Sequence, residues 1–144
     1  MIVLDCSAAI AVVLETKEGK ALAGLMEKDE KIISPHLYLA EIDSALSKYV
    51  RAGYFERELA HQLLGQSIDL VDEFTSLQDC CVEALDESLR NNHSSYDMFY
   101  LILARRNGAT LFTLDRKLAH LAAQLKIDCV QSIAISTKND QPVK

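Results

Sequence analysis

Four acids in this chain, Asp5, Glu41, Asp97 and Asp115, have neighbours that suit chemistry. Asp5 follows the short apolar run IVL, and Asp115 follows the strand-like run TLFTL. Both therefore fall at strand ends, and in a parallel α/β sheet ligands bind beyond the carboxyl ends of the strands. Glu41 lies on a helical stretch beside Ala40, Ser44 and Ala45, small neighbours that let a carboxylate line a cleft. Asp97 opens the most apolar helical stretch, on a face shared with Tyr100, Leu101 and Ala104. Four carboxylates in one cleft repel and raise one another's pKa unless cations compensate. Such a cluster predicts Mg²⁺ or Mn²⁺, hard ions that prefer oxygen ligands and keep several waters. Ser7 and Thr113 are placed to orient the ligands or bound waters.

Each residue also has a purely structural use. Asp115 reads equally as a helix N-cap, Asp97 as the acidic partner of Ser94 in a capping box, and Asp5 as a turn former at a strand end. Glu41 reads as a solvated helix residue, Ser7 as the cap of the first helix and Thr113 as a strand residue. Glu15, Glu18, Asp72, Glu73, Asp86 and Glu87 read as solvated faces or turns, and Asp43 lies about 200° around the helix from Glu41. His36, His61, His93 and His120 form no HExxH or HxxxH pair and read as structural or surface residues.

The elements that must position the acids alternate along the chain. A strand in IVLDC feeds a helix in SAAIAVVL; the helix EGKALAGLMEKDE precedes a strand in KIISP. LYLAEIDSALSKYVRAG carries an apolar stripe of Leu39, Ile42, Leu46 and Tyr49 and stops at Gly53. With ERELAHQLLGQSIDL it forms a helical hairpin. VDEFTS, QDCCVEALDESLRNN, SYDMFYLILARRNG and ATLFTL then read as strand, helix, helix and strand, and the helix RKLAHLAAQLK and a short strand near DCVQ end the pattern. Alternating strands and helices without Asn-Gly hairpins define an α/β domain with a mostly parallel central sheet.

A length of 144 residues fits one domain, taken as 1–131 with a polar tail over 132–144. No leader-like segment and no run of roughly 18 apolar residues appears, so the expectation is a soluble, cytoplasmic protein without a membrane partner. Cys6, Cys80, Cys81 and Cys129 form no CxxC pair and read as reduced, small apolar residues. A net charge of −6 argues against broad nucleic-acid binding through surface charge alone, an objection that bound divalent ions soften. No Gly-rich phosphate loop, GxSxG elbow or GxGxxG fingerprint occurs. A dehalogenase-type phosphatase would need DxD at the first strand, where this chain has Asp5-Cys6-Ser7.

Together, IVLDCSAAI, YLAEIDSAL and SSYDMFYLILARRNGATLFTLDRKLA resemble the PIN-domain ribonucleases, over about residues 1 to 131. The single-domain length is similar to that of VapC-type toxins of toxin–antitoxin pairs. The resemblance implies a three-layer α/β/α fold with a mostly parallel sheet, and catalytic and metal-binding roles for Asp5, Glu41, Asp97 and Asp115, with Ser7 and Thr113 beside them. Some members carry a further Asp or Asn two residues after the last acid, where this chain has Lys117. The implied activity is metal-assisted hydrolysis of RNA phosphodiesters by a homodimer restrained by a cognate antitoxin. Arg51, Arg105, Arg116 and Lys117, with Lys48 and Arg106, are the candidate guides for the RNA backbone. Two alternatives stay open: a PIN-fold nuclease of RNA maturation and a non-catalytic PIN-fold binding module.

Overall fold

The computed structural model describes residues 1–130. The 132–144 tail and the boundary at 131 lie outside them. Within the described residues the chain runs β1 (Ile2–Leu4), α1 (Cys6–Val13), α2 (Lys17–Leu25), β2 (Ile32–Pro35), α3 (Leu37–Arg51), α4 (Arg57–Asp69) and β3 (Glu73–Thr75). A 3₁₀ turn (Gln78–Cys80) then leads into α5 (Cys81–Asn91), α6 (Ser95–Asn107), β4 (Thr110–Phe112), α7 (Arg116–Gln124) and β5 (Cys129–Val130). Every strand and helix expected from the pattern is present. The five strands form one parallel sheet in the order β3-β2-β1-β4-β5.

β1 lies at the centre, and Ile2, Val3 and Leu4 are fully buried, as a strand covered on both faces requires. Successive parallel strands in one sheet are joined right-handedly. The chain steps from β1 towards β3 and then returns past β1 to β4, so α1–α4 cover one face and α5–α7 the other. Packing agrees: α1 meets α2, α3 and α4, while α5 packs on α6. The helices and sheet thus make the three-layer α/β/α arrangement. Between β1 and β4 the strand order reverses, and that switch point is where an open α/β sheet leaves a crevice for a ligand.

Local chemistry explains the boundaries. Gly53 (φ +81°) and Gly108 (φ +57°) take left-handed conformations that end α3 and α6. A Cβ on Gly19 would sit 1.9 Å from the Ala11 carbonyl oxygen, so α1 and α2 pack closely only because that position is glycine. Ala8, Ala9, Ile10 and Ala11 are buried, which gives AAIAVVL a core role. All four cysteines are free thiols.

Three expectations are corrected. Asp5, not Ser7, caps α1; Ser7 is the helix's second residue. Ser94 makes no side-chain cap hydrogen bond, so the capping box with Asp97 does not form. Glu87 is buried rather than solvated, and its carboxylate takes Arg90, Asn91 and Arg105 as donors.

Candidate active site

The crevice between β1 and β4 opens into a cavity of about 540 Å³ whose walls include Asp5, Glu41, Asp97 and Asp115. Four acids up to 110 residues apart in sequence are thus brought to one place by the carboxyl edge of the sheet and by one helix from each face. Asp5 follows β1, Asp115 follows β4, Glu41 opens the second turn of α3, and Asp97 lies in the first turn of α6.

Asp5 is the most enclosed, at 5% exposure. Its Oδ1 accepts from the Ala8 amide at 2.9 Å and the Ser7 hydroxyl at 2.7 Å, and its Oδ2 accepts from the Thr113 hydroxyl. Burial nevertheless lifts its pKa from 3.8 to about 6, outweighing the three hydrogen bonds, with the charge of Asp97 adding to the rise. Ser7 Oγ also accepts from the Leu114 amide at 3.0 Å, and Thr113 Oγ1 accepts from the Asp115 amide at 3.0 Å. The two hydroxyls that the sequence placed beside the acids therefore tie the end of β1 to the end of β4.

Glu41 Oε1 accepts from the Tyr100 hydroxyl at 2.6 Å. Burial raises the pKa of Glu41; the Tyr100 hydrogen bond opposes this and the Asp97 charge reinforces it. Burial, with the Glu41 charge beside it, pushes the Tyr100 phenol well above its ordinary value, so Tyr100 remains a donor. Asp97 Oδ2 lies 2.8 Å from His93 Nε2, one turn earlier. Asp115 Oδ1 caps α7, accepting from the amides of Lys117 at 2.9 Å and Leu118 at 3.2 Å. Cys6 also lines the cavity, and its thiol is pushed up to about 12 by burial and by the Glu41 and Asp5 charges, which keeps it protonated and poorly nucleophilic.

Among the described residues, no three His, Cys, Asp or Glu groups close into a set that could hold a metal ion directly. The donor chemistry nonetheless fits a hard divalent cation. Glu41, Asp97 and Asp115 each hold one carboxylate oxygen in the hydrogen bonds above, while Glu41 Oε2, Asp97 Oδ1 and Asp115 Oδ2 accept none among the described residues. Anchored carboxylates with a second oxygen to spare suit an ion that retains part of its water shell.

The candidate RNA guides are dispersed. Arg116 and Lys117 are exposed in the first turn of α7 beside Asp115. Arg51 bonds its own helix at the Ser47 carbonyl and lines a groove between α3 and α4. Arg105 sits two turns beyond Asp97 on α6, about 12 Å along the axis, and is ion-paired with Glu83 and Glu87, as Arg106 is with Glu83. Arg105 and Arg106 therefore stand apart from the cavity.

Sequence reasoning missed three neighbours of the acids. His93 reads in the sequence as structural or surface, although its i, i+4 spacing to Asp97 is a usable signal. Glu18 lines the cavity rather than a solvated face. In the sequence Tyr100 shows only as sharing the Asp97 face, and nothing local signals its bond to Glu41. We predict that Tyr100→Phe leaves the fold intact and moves the acidic limb of any pH–rate profile upward, because Glu41 loses the donor that lowers its pKa. A hydrogen bond to a charged group contributes about 1.5–3 kcal/mol, so activity should fall about tenfold or more; an unchanged profile would remove Tyr100 from the site.

An acid-lined cavity at the switch point of a parallel sheet marks this as an α/β protein with a candidate hydrolytic centre. Residues 2–124 match the PIN domain family, and the chain belongs to it. PIN domains are generally nucleases, bind RNA and typically use divalent metals. Among solved structures, the chain is similar to PAE2754 from Pyrobaculum aerophilum, with 22% identity and a TM-score of 0.69, covering 96% of this chain and 95% of that one. It is also similar to a PilT N-terminus domain protein, SSO1118, from Sulfolobus solfataricus P2, with 11% identity and a TM-score of 0.52, covering 99% and 96%. Both likenesses concern the fold. A sequence comparison with curated proteins gave no match. No described helix is long and apolar enough to cross a membrane.

Proposed function

We propose that this PIN-domain chain is a Mg²⁺- or Mn²⁺-dependent endoribonuclease, the VapC-like toxin of a toxin–antitoxin pair. The observation that carries the nuclease reading is the meeting of Asp5, Glu41, Asp97 and Asp115 around one cavity. A binding module gains nothing from mutually repelling, half-buried carboxylates.

In this reading Glu41, Asp97 and Asp115 would hold the divalent ion, and Asp5, at the end of β1, would add its charge to theirs. When bound, the ion supplies Lewis acidity towards water and the phosphate oxygens. The chain's own residues prepare the site. Ser7, Thr113 and the Ala8 amide fix Asp5, Tyr100 fixes Glu41, His93 fixes Asp97, and the α7 amides fix Asp115. Rigid acceptors of this kind lower the reorganisation needed when charge develops on the phosphate. No protein nucleophile is required, and the Cys6 thiol is a poor one.

A protein partner is favoured by a separate observation. On α5, Val82, Leu85 and Leu89 are exposed at helical spacing, while the inner side of the helix carries Ala84 and the charged Glu87. A helix with its apolar stripe outward needs a cover. A second copy of this chain fits the homodimer expected of such toxins, and the cognate antitoxin is the second protein partner of the reading.

The test is cleavage of a labelled structured RNA by purified protein with Mg²⁺, Mn²⁺ or chelator, beside Asp97→Asn protein to expose contaminating nuclease. Metal-dependent cleavage absent from the variant is expected. Equal cleavage by both proteins, or none by antitoxin-free wild type, would move the reading to a binding module. An antitoxin gene immediately upstream would separate a toxin from a nuclease of RNA maturation.

A further inference from the structure

The acidic cavity continues into a second groove of about 500 Å³ along α3, with Cys6, Glu41, Ala45 and Tyr49 in the walls of both. The second groove runs from Glu41 past Ser44 and Lys48 to Ala52 and Tyr54. From Glu41 to Ala52 the helix rises about 16 Å. At the far end Tyr54 is 75% exposed, the joint most exposed large hydrophobic side chain among the described residues.

Tyr54 is exposed yet fixed. Gly53, at φ +81°, turns the chain out of α3, and the Tyr54 amide then donates to the Tyr49 carbonyl at 3.0 Å. The Tyr54 ring meets Tyr49 edge-on at 5.4 Å, and Tyr49 stacks on Phe55 at 5.5 Å. The Tyr54 hydroxyl takes part in no hydrogen bond among the described residues, and Lys48 makes neither hydrogen bond nor ion pair there. Four other cations, Lys31, Arg90, Arg105 and Arg106, are ion-paired, while Arg116 and Lys117 stand exposed at the opposite side of the acids, beside Asp115. A chain of net charge −6, with its reaction centre built of acids, must hold a polyanion by cations and stacking surfaces outside that centre. A held aromatic ring with a lysine in the same wall, in a groove opening onto the acids, has the elements of a single-strand platform.

We propose that the α3 groove holds single-stranded RNA on one side of the phosphate to be cut, with Tyr54 stacked on a base and Lys48 on a backbone phosphate. This rests on the nuclease reading and adds to it a strand path along α3. A duplex cannot present a base face to Tyr54, so single-stranded segments are the substrates the groove selects.

The test is fluorescence anisotropy of a labelled single-stranded oligoribonucleotide with Asp97→Asn protein in Mg²⁺, where cleavage is blocked, comparing Tyr54→Ala, Tyr54→Leu, Tyr54→Phe and Lys48→Gln in that background. Stacking contributes about 1–3 kcal/mol per base, so Tyr54→Ala and Tyr54→Leu should weaken binding about 5- to 150-fold while Tyr54→Phe holds. Lys48→Gln should flatten the slope of log affinity against log salt by about 0.7. In the cleaving protein, Tyr54→Leu should raise KM more than it lowers kcat. A folded Tyr54→Leu protein that binds as tightly as its parent overturns the stacking site. If wild type still cuts in an Asp97-dependent way, the nuclease reading survives that result. RNA binding unchanged but antitoxin binding lost would assign the groove to protein and overturn the proposal. Wild type that neither binds nor cuts RNA sinks both.

Discussion

Asp115→Asn is expected to leave thermal stability almost unchanged and to reduce RNA cleavage by about a hundred- to a thousandfold or more. On the proposed nuclease reading, Asp115 serves two purposes through its two oxygens. Oδ1 caps α7 through the Lys117 and Leu118 amides, while Oδ2 accepts no hydrogen bond among the described residues and Asp115 lines the cavity. Asn is as good an N-cap as Asp, so the helix keeps its start, apart from a few tenths of a kcal/mol of helix-dipole interaction. The lost negative charge removes a cation ligand, and deleting one electrostatic element of a preorganised site typically costs about 10²–10³ in kcat. Asp115→Ala should lose both, with about 1 kcal/mol of stability going with the cap. Melting curves and single-turnover cleavage of both variants check this. Equal activity in wild type and Asp115→Asn would confine Asp115 to capping.

The architecture was legible because it is local. IVL, KIISP and ATLFTL are short apolar runs bounded by Pro, Gly or polar residues, and all became strands of one parallel sheet. Gly53 and Gly108 marked helix ends that need a left-handed residue. The meeting of the acids was legible for a topological reason: two strand ends and two helix starts can share one edge of a parallel sheet.

What the sequence hid depends on contacts between distant segments or on which side of an element faces in. Asp5 and Ser7 are both good caps, and only the end of β1 at Leu4 decides for Asp5. The pairing of Tyr100 with Glu41 spans 59 residues. Periodicity marks Val82, Leu85 and Leu89 as a stripe but does not say that it faces outward. The burial of Glu87 follows from Arg105, 18 residues later, reaching back to it. The same contact takes Arg105 away from the cavity, a fact no charge count contains.

Asp5→Asn is expected to make the metal-free protein more stable at neutral pH while abolishing cleavage. The carboxyl titrates at about 6 when folded, against an ordinary value of 3.8, because burial outweighs its hydrogen bonds. Below about pH 4 the group is neutral in both states and burying it carries no charge penalty. As pH rises through the window between these values, the unfolded chain gives up the proton before the folded protein does, so stability falls with pH. Above about pH 6 the whole penalty, on the order of 3 kcal/mol, is present. Asn keeps the cap, since its oxygen can accept from Ala8 and Ser7 while its amide donates to Thr113 Oγ1 once that hydroxyl turns. Its melting temperature, measured in chelator, should fall less from about pH 4 to 7 than that of wild type, since Glu41 keeps its raised pKa in both, leaving the variant ahead by several degrees. Mn²⁺ should restore wild type at neutral pH, do little below about pH 5 where Asp5 is protonated, and do less for the variant at any pH. A wild-type melting temperature flat across this window, or a variant no more stable than wild type, would show that Asp5 carries no such penalty. The expected gain would locate the conflict between stability and activity in one carboxylate, held buried and charged for a cation to neutralise.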